Sequence, residues 1–423
     1  MGRIPVDSAR LLERFLNYVR IDTMANADSE AYPSSPGQLE LGRLLAAELS
    51  AMGADQVDHD AHGLVWATIP ATGRLAHEAA PAAIAWNAHL DTSPETSGAN
   101  VRPQVIRDYA GGDLVLPAAP QRVIRVADNP ELQSLHGHTL ITTDGTTLLG
   151  ADDKAGLAVI MEAAQYLLAH PEIPHGPIRI LFTCDEEIGR GVDHVDLPRL
   201  NAVAAYTLDG PGAGQIDVET FSADLAVVVI EGVNIHPSIA KNRMVNAVRV
   251  AAEFLRHLPR HELAPETTSD RHGFLHPYVI RGGVDRVEIQ ILLRDFDTPR
   301  LAYYARHLND WARQTQQTWP GSQITVTTRP QYRNLGDGLA RHPHVVQYAQ
   351  TAFERMGVAA TTSIIRGGTD GSRMTELGLP TPNLSTGQHN PHSPLEWACL
   401  EEMETAVRQL VELAQVWGGH QSG

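Results

Sequence analysis

The segment Ile178-Arg179-Ile180-Leu181-Phe182-Thr183-Cys184-Asp185-Glu186-Glu187-Ile188-Gly189 is an apolar run of strand length that gives way, without transition, to three carboxylates. The run predicts a buried strand, and burial has to stop where the charge starts. Unpaired buried carboxylates are costly, so three in succession at the mouth of a core strand require cations, hydrogen bonds or water. A metal site meets that requirement. For an isolated Asp-Glu-Glu, a solvated turn with ordinary surface acids meets it too, so the choice rests on whether other segments end in the same way.

Three do. The short run Ile84–Trp86 leads into Asn87-Ala88-His89-Leu90-Asp91. His89 alone reads as a structural histidine, but a carboxylate two residues on fits an acid that orients a metal-bound imidazole. Asp144–Gly156, DGTTLLGADDKAG, precedes a helix with Leu157, Ile160, Met161, Ala164 and Leu168 on its apolar face. Asp152 and Asp153 can cap that helix against its dipole, yet two adjacent acids exceed what a cap requires. Val203–Leu208 ends in Asp209-Gly210-Pro211-Gly212. In open α/β sheets the crevice lies at the carboxyl ends of the strands, so His89, Glu186, Glu187 and Asp209 converge there if the sheet is mainly parallel.

Composition limits the partners. A formal charge of −17 argues against nucleic acid or an anionic membrane, while 20 histidines leave room for metal chemistry. The two cysteines, Cys184 and Cys399, build neither a disulfide framework nor a thiolate cluster, which points to a reducing compartment. Cys184 reads as a small core residue with no catalytic role. The first residues lack a charged-then-apolar secretory pattern and the apolar runs are too short to span a bilayer, so the expectation is a cytoplasmic protein.

Helices are expected at Asp7–Arg20, Pro36–Met52, His344–Met356 and Leu400–Val416, with Ser93–Leu140 an insertion of little regular structure. From Phe221 the texture changes. Ala226–Ile230, Pro277–Arg281, Val284–Asp295 and Ile324–Thr328 read as strands, and Pro237–Leu258 and Pro299–Trp319 as helices. That order, βαββαβ, suits a small ferredoxin-like α+β domain over residues 221–329, set into an α/β catalytic domain of residues 1–220 plus 330–423. The catalytic domain is expected to have a mainly parallel mixed sheet flanked by helices.

The segments His89-Leu90-Asp91, DGTTLLGADDKAG, Cys184-Asp185-Glu186-Glu187, Leu208-Asp209-Gly210, VNIHPSIAKNRMVNA, VDRVEIQILLRDFD and IRGGTDGS with its downstream His392 together resemble the M20 family of dinuclear zinc peptidases over nearly the whole chain. The resemblance implies that His89, Asp152, Glu187, Asp209 and His392 bind two zinc ions, replaceable by cobalt or manganese. It makes Asp152 the bridge, Asp91 the support of His89, and Glu186 the general base. It further implies a lid or dimerisation role for the inserted domain, a homodimer, and a part for His236 in holding the oxyanion; a surface loop histidine is the alternative there.

The implied reaction releases the N-terminal residue of tripeptides or other short peptides. Another M20 amidohydrolase, a carboxypeptidase or an N-acyl amino acid deacylase, would use the same metals and base. A non-catalytic metal- or peptide-binding protein would have no need of Glu186. The chain reads Pro391-His392-Ser393-Pro394 where the tripeptide-cleaving branch has an aromatic residue before the ligand and glycine after it, which leaves His389 as a rival ligand. Measuring peptide length requires a fixed cation, for which Arg294 and Arg366 are candidates. Arg294 can instead pair with Asp295 and Asp297, and Arg366 can stabilise its loop; Arg294 is favoured because a lid residue can report closure.

Overall fold

The computed structural model describes residues 4–78 and 81–420. They form two compact units. The first comprises the chain up to Val218, Gly338–Ser363 and the residues from Thr369 onward; the second comprises Glu219–Asp337 and Ile364–Gly368.

The first unit is built on a mixed sheet in the order Asp55–His59, Val65–Ile69, Ile178–Thr183, Ile84–His89, Ala204–Pro211, Asn383–His389, Trp397–Cys399, Leu140–Thr142 and Gln104–Ile106. The four strands from Ile178–Thr183 to Asn383–His389 run parallel, and those outside them pair antiparallel. The sequence explains why the parallel part is central: Ile84–His89 is buried at every position, as strands covered on both faces must be. Side chains alternate between two cores. Trp86, Ala88, Ile180, Phe182, Tyr206 and Leu208 meet the helices Ser8–Tyr18, Pro36–Met52, Ala151–Ala169, Pro343–Met356 and Leu400–His420. Ala85, Leu181 and Ala205 meet Leu200, Met374 and Leu379 on the other face.

The helix Ala151–Ala169 lies hard against the sheet through Gly156. A Cβ there would stand 2.1 Å from the Leu208 carbonyl oxygen and 2.4 Å from Asp153 Oδ1. Only glycine permits that approach, which sets the start of the helix beside the end of the strand carrying Asp209.

The second unit runs strand Ser222–Glu231, helix Ala247–Leu255, strands Phe274–Gly282 and Arg286–Asp295, helix Thr298–Thr318, strand Gln323–Tyr332. Its four strands are antiparallel in the order Phe274–Gly282, Arg286–Asp295, Ser222–Glu231, Gln323–Tyr332. Val287, Ile289, Ile291 and Leu293 point to the helices and pack with Val250, Phe254, Leu301 and Leu308, while Glu288, Gln290 and Arg294 alternate onto the other face.

Several expectations need correction. The helix expected over Pro237–Leu258 is only a 3-10 turn at Pro237–Ile239 followed, after a loop, by Ala247–Leu255. Asn246 restarts the helix by accepting the Val248 N–H at 2.9 Å, a cap that apolar periodicity does not register. The Ser93–Leu140 insertion is more ordered than its composition suggests. It carries the strands Gln104–Ile106, Leu114–Val115 and Val123–Ile124 and a small core of Tyr109, Leu116, Ile124, Leu132 and Leu135 around Trp397. Asp209 lies inside its strand rather than beyond it, and the strands Asp55–His59, Gln215–Thr220 and Thr361–Ile365 escaped notice because most of their residues are polar.

Gly156→Ala is expected to lower stability by about 1–3 kcal/mol, the usual cost of forcing an extra carbon into a packed site. Denaturant unfolding checks this; an unchanged midpoint would mean that the helix does not depend on the close approach.

Candidate metal centre

The parallel register assembles the centre from distant segments. His89 is the last residue of Ile84–His89 and lies opposite Thr183 of the neighbouring strand, so the turns that follow both strands leave the sheet side by side. Asp91, fully buried, accepts the backbone N–H groups of Glu186 and Glu187, each at 3.0 Å and each on its own oxygen. The same residue faces His89 Nδ1, with its carbonyl at 3.1 Å and Oδ1 at 3.5 Å. Asp185, in the left-handed region at φ 62°, is held by Ser34 and Gln38, whose backbone N and Nε2 lie at 2.8 and 2.7 Å. The sharp turn from strand to Glu186 is therefore fixed on both sides.

Asp152 and Asp153 divide the work expected of them. Asp153 accepts from Gly156 N at 3.2 Å, as a helix cap does, and from His89 N at 3.2 Å. Asp152 turns into the crevice, with Oδ1 2.9 Å from His89 Nε2 and Oδ2 3.4 Å from His392 Nε2. His392 Nε2 also lies 3.0 Å from Glu187 Oε2, and Asp209 Oδ1 lies 3.9 Å from His89 Nε2. Thus His89, Asp152, Glu187, Asp209 and His392 share one crevice. The ligand atoms of His89, Asp152 and Glu187 all fall within 4.8 Å of one another, as do those of His89, Asp153 and Asp209.

The electrostatics of this group call for cations. Burial, with the charge of Asp152 added, pushes the Glu187 carboxyl up to about 7. Burial and neighbouring acids likewise hold Glu186 and Asp209 well above the usual carboxylate range. Burial works against His392, but its bonds to Asp152 and Glu187 raise it to about 12. Asp152 goes the other way: burial opposes ionisation, yet the two histidines hold it well below the ordinary range. Glu187 Oε1 is buried without a hydrogen-bond partner among the described residues. A donor set of two imidazoles and three carboxylates, short of positive charge and with an orphaned oxygen, fits divalent metal ions.

His389 does not join this group. Its ring stacks on Trp397 with centroids 3.7 Å apart, and Nε2 meets Glu402 at 2.7 Å. His236, Arg294 and Arg366 belong to the second unit. His236 is exposed, with Nδ1 2.7 Å from Ser238 Oγ. Arg366 donates to Thr268 Oγ1 at 2.8 Å and lies over Phe221 and Phe274. Arg294 faces the Tyr332 ring at 5.7 Å, and its buried Nε has no hydrogen-bond partner among the described residues. The acids Asp295 and Asp297 do not engage it: Asp295 takes Arg300 and Tyr304 instead.

Sequence reasoning missed Glu396 and Asp370. Asp370, the first residue of the helix Asp370–Glu376, accepts from Thr183 Oγ1 at 2.5 Å at the end of its strand, and Glu396 binds the Asp152 loop. Both sit in segments already noticed for other residues, Asp370 in the glycine-rich loop and Glu396 four residues beyond His392, but nothing in a lone acid separates a buried brace from a surface charge. The insertion also has a part here, since Thr96 Oγ1 donates to the His392 carbonyl at 2.7 Å.

The sequence profile of Peptidase family M20/M25/M40 matches residues 148–416, and the chain belongs to this family. Peptidase T of Geobacillus thermodenitrificans is 42% identical over 407 residues, 96% of this chain and 98% of that protein. Peptidase T of Shouchella clausii is 43% identical over 406 residues, with the same coverage. Among solved structures, a tripeptidase from Staphylococcus aureus superposes with a TM-score of 0.75 at 25% identity, covering 98% of this chain and all of that one. The aminopeptidase PepT from Bacillus cereus gives 0.72 at 25% identity, covering 97% of this chain and 99% of that one. No helix among the described residues is long and apolar enough to cross a membrane.

A carboxyl whose folded pKa exceeds its unfolded value binds more protons folded than unfolded in the interval between, so stability falls as pH rises through it. Glu187, raised from 4.5 to about 7, acts in that sense, and His392, raised from 6.5 to about 12, loses its stabilising proton advantage in the same direction. Chelated protein should therefore melt at a lower temperature at about pH 8 than at about pH 5.5, and divalent ions should restore most of the loss at the higher pH. Thermal unfolding with and without metal checks this; greater stability of the chelated protein at the higher pH would contradict it.

Proposed function

We propose that this chain is a two-metal aminopeptidase that removes the N-terminal residue from tripeptides and other short peptides. The observation that carries the reading is Asp152, whose two oxygens face the two histidines of the ligand set separately, as a carboxylate shared between two ions must. The likeness to Peptidase T proteins supports the substrate class.

His89 and Asp209 on one side, and Glu187 and His392 on the other, would hold the two ions, with Asp152 common to both. Nitrogen and oxygen donors without thiolate suit zinc, with cobalt or manganese as substitutes. Two such ions, when bound, polarise the scissile carbonyl and lower the pKa of the attacking water. The protein's own part falls to Asp91 and Glu186. Asp91 is a positioning residue: it fixes the His89 ring and the backbone of the Glu186–Glu187 turn through the bonds described above. The Glu186 carboxylate makes no hydrogen bond or ion pair among the described residues. It is free to take a proton from water as the new C–O bond forms and to pass it to the amine nitrogen as the C–N bond breaks.

Arg294 is proposed to grip the far carboxylate of the peptide, since its Nε has no hydrogen-bond partner among the described residues while Arg366 is already engaged. His236 is proposed to help hold the oxyanion, from its own or a partner subunit. Homodimerisation through the second unit is supported by the edge strand Phe274–Gly282, where Tyr278 and Ile280 are exposed.

Glu186→Gln is expected to lower turnover by about 10²- to 10⁴-fold while retaining both metals, read by steady-state kinetics and metal analysis. Loss of metal with appreciable activity would exchange the roles of Glu186 and Glu187. On a panel of free tripeptides, their C-terminal amides and N-acyl amino acids, the parent should release the N-terminal residue of free tripeptides. Arg294→Ala should no longer distinguish acid from amide; release from N-acyl amino acids instead would favour a deacylase.

A further inference from the structure

Glu396 is 1% exposed and sits immediately before the strand Trp397–Cys399. Its side chain makes three hydrogen bonds, all to the backbone of the loop that ends in Asp152. Oε2 accepts from Leu149 N and Gly150 N, each at 2.7 Å, and Oε1 accepts from Asp152 N at 3.0 Å. Gly150 stands at φ 80°, a conformation that favours glycine, and this turns its N–H toward the carboxylate. Three amides on one buried carboxylate constitute a clamp, because each would otherwise be an unpaired buried donor.

The clamp is held from behind. Trp397 pairs in register with both Thr142 and His389, so the residue before it cannot drift along the sheet. The turn that carries His392 is strapped to the same place. Glu396 N donates to Ser393 O at 3.1 Å, Leu395 N to Ser393 Oγ at 3.0 Å, and Asn390 Nδ2 to Leu395 O at 3.2 Å. One short segment therefore ends in His392 on one side and in the anchor of Asp152 on the other. Neither loop can move without pulling on the other.

We propose that Glu396 is a positioning residue that locks the Asp152 loop to the His392 turn, so that the shared carboxylate and the second imidazole meet the metals as one preformed unit. The inference rests on the two-metal reading above and adds to it a residue that touches neither ion. Replacing its oxygens should loosen Asp152 at its backbone. Since Asp152 faces both halves of the ligand set, both equivalents of metal should weaken together.

The test uses the full chain titrated with cobalt(II) by calorimetry, the visible absorption spectrum of the loaded protein, and thermal unfolding of the metal-free form. Glu396→Gln keeps the volume but replaces an acceptor oxygen by a donor. It should bind both equivalents about 10- to 100-fold more weakly, the usual cost of losing a group that orients a ligand, with an altered cobalt spectrum. Equal affinity and an identical spectrum in Glu396→Gln and parent would overturn the proposal. So would weakening no greater than the variant's loss of metal-free stability accounts for. A parent that binds no cobalt would instead remove the two-metal reading. Should the variant fail to fold, hydrogen exchange on the unaltered, metal-free parent decides: the Leu149, Gly150 and Asp152 amides should be protected before any metal is added. Free exchange there would show that no clamp exists.

Discussion

The constraint on which this structure depends is an excess of negative charge in a place with little water. Asp91 and Asp185, just past the ends of central strands, and Asp153, in the first turn of a helix, are fully buried, and Glu187, Asp209 and Asp152 are nearly so. A folded chain tolerates such a group only by giving each acid donors or leaving it to a cation. The two solutions sort the residues. Asp91, Asp153, Asp185 and Glu396 each receive backbone or amide N–H groups and act as scaffold. Glu187 and Asp152 meet histidines, Asp209 lies near one and also accepts from Gln388 Nε2 at 3.1 Å, and the Glu186 carboxylate has no partner among the described residues; these are the acids proposed to carry the chemistry.

The sheet makes the sorting possible. Parallel strands end at one edge, and the register of His89 against Thr183 places two turns where a single carboxylate can bind both. The antiparallel strands outside them extend the sheet to Trp397 and Leu140, which brings the His392 turn and the Asp152 loop to the same edge from the other direction. The segment between residues 93 and 140, without obvious purpose in the sequence, supplies Thr96 and Asn129 as props for that turn, the latter bonded to Asn390 at 2.7 Å.

Much of this was legible in the residues because charge at the end of an apolar run is a local signal. His89, Glu186, Glu187 and Asp209 each announce themselves that way, Asp152 stands out as an acid beyond what a helix cap requires, and the central strands and the helix Pro36–Met52 follow from hydrophobic period. What stayed hidden depends on distance. Glu396 is legible only when residues some 245 positions away are known to present three amides to it. The break after Ile239 depends on a capping asparagine rather than on periodicity. Polar strands such as Gln215–Thr220 owe their existence to partners, Leu384 and Asn383, that no local window contains.

The proposed ligand residues are scattered along the sequence from His89 to His392, and the stretch from Glu219 to Asp337 that folds as a separate unit interrupts them. During synthesis the ribosome therefore delivers most of the acids long before the histidine that closes the set. A chain interrupted anywhere before that turn holds an acidic cleft without its second imidazole and without the clamp on its shared carboxylate. The strand Trp397–Cys399, which joins Asn383–His389 to Leu140–Thr142 within the sheet, also follows that turn in the chain, so the last ligand candidate and the closure of the sheet are delivered together.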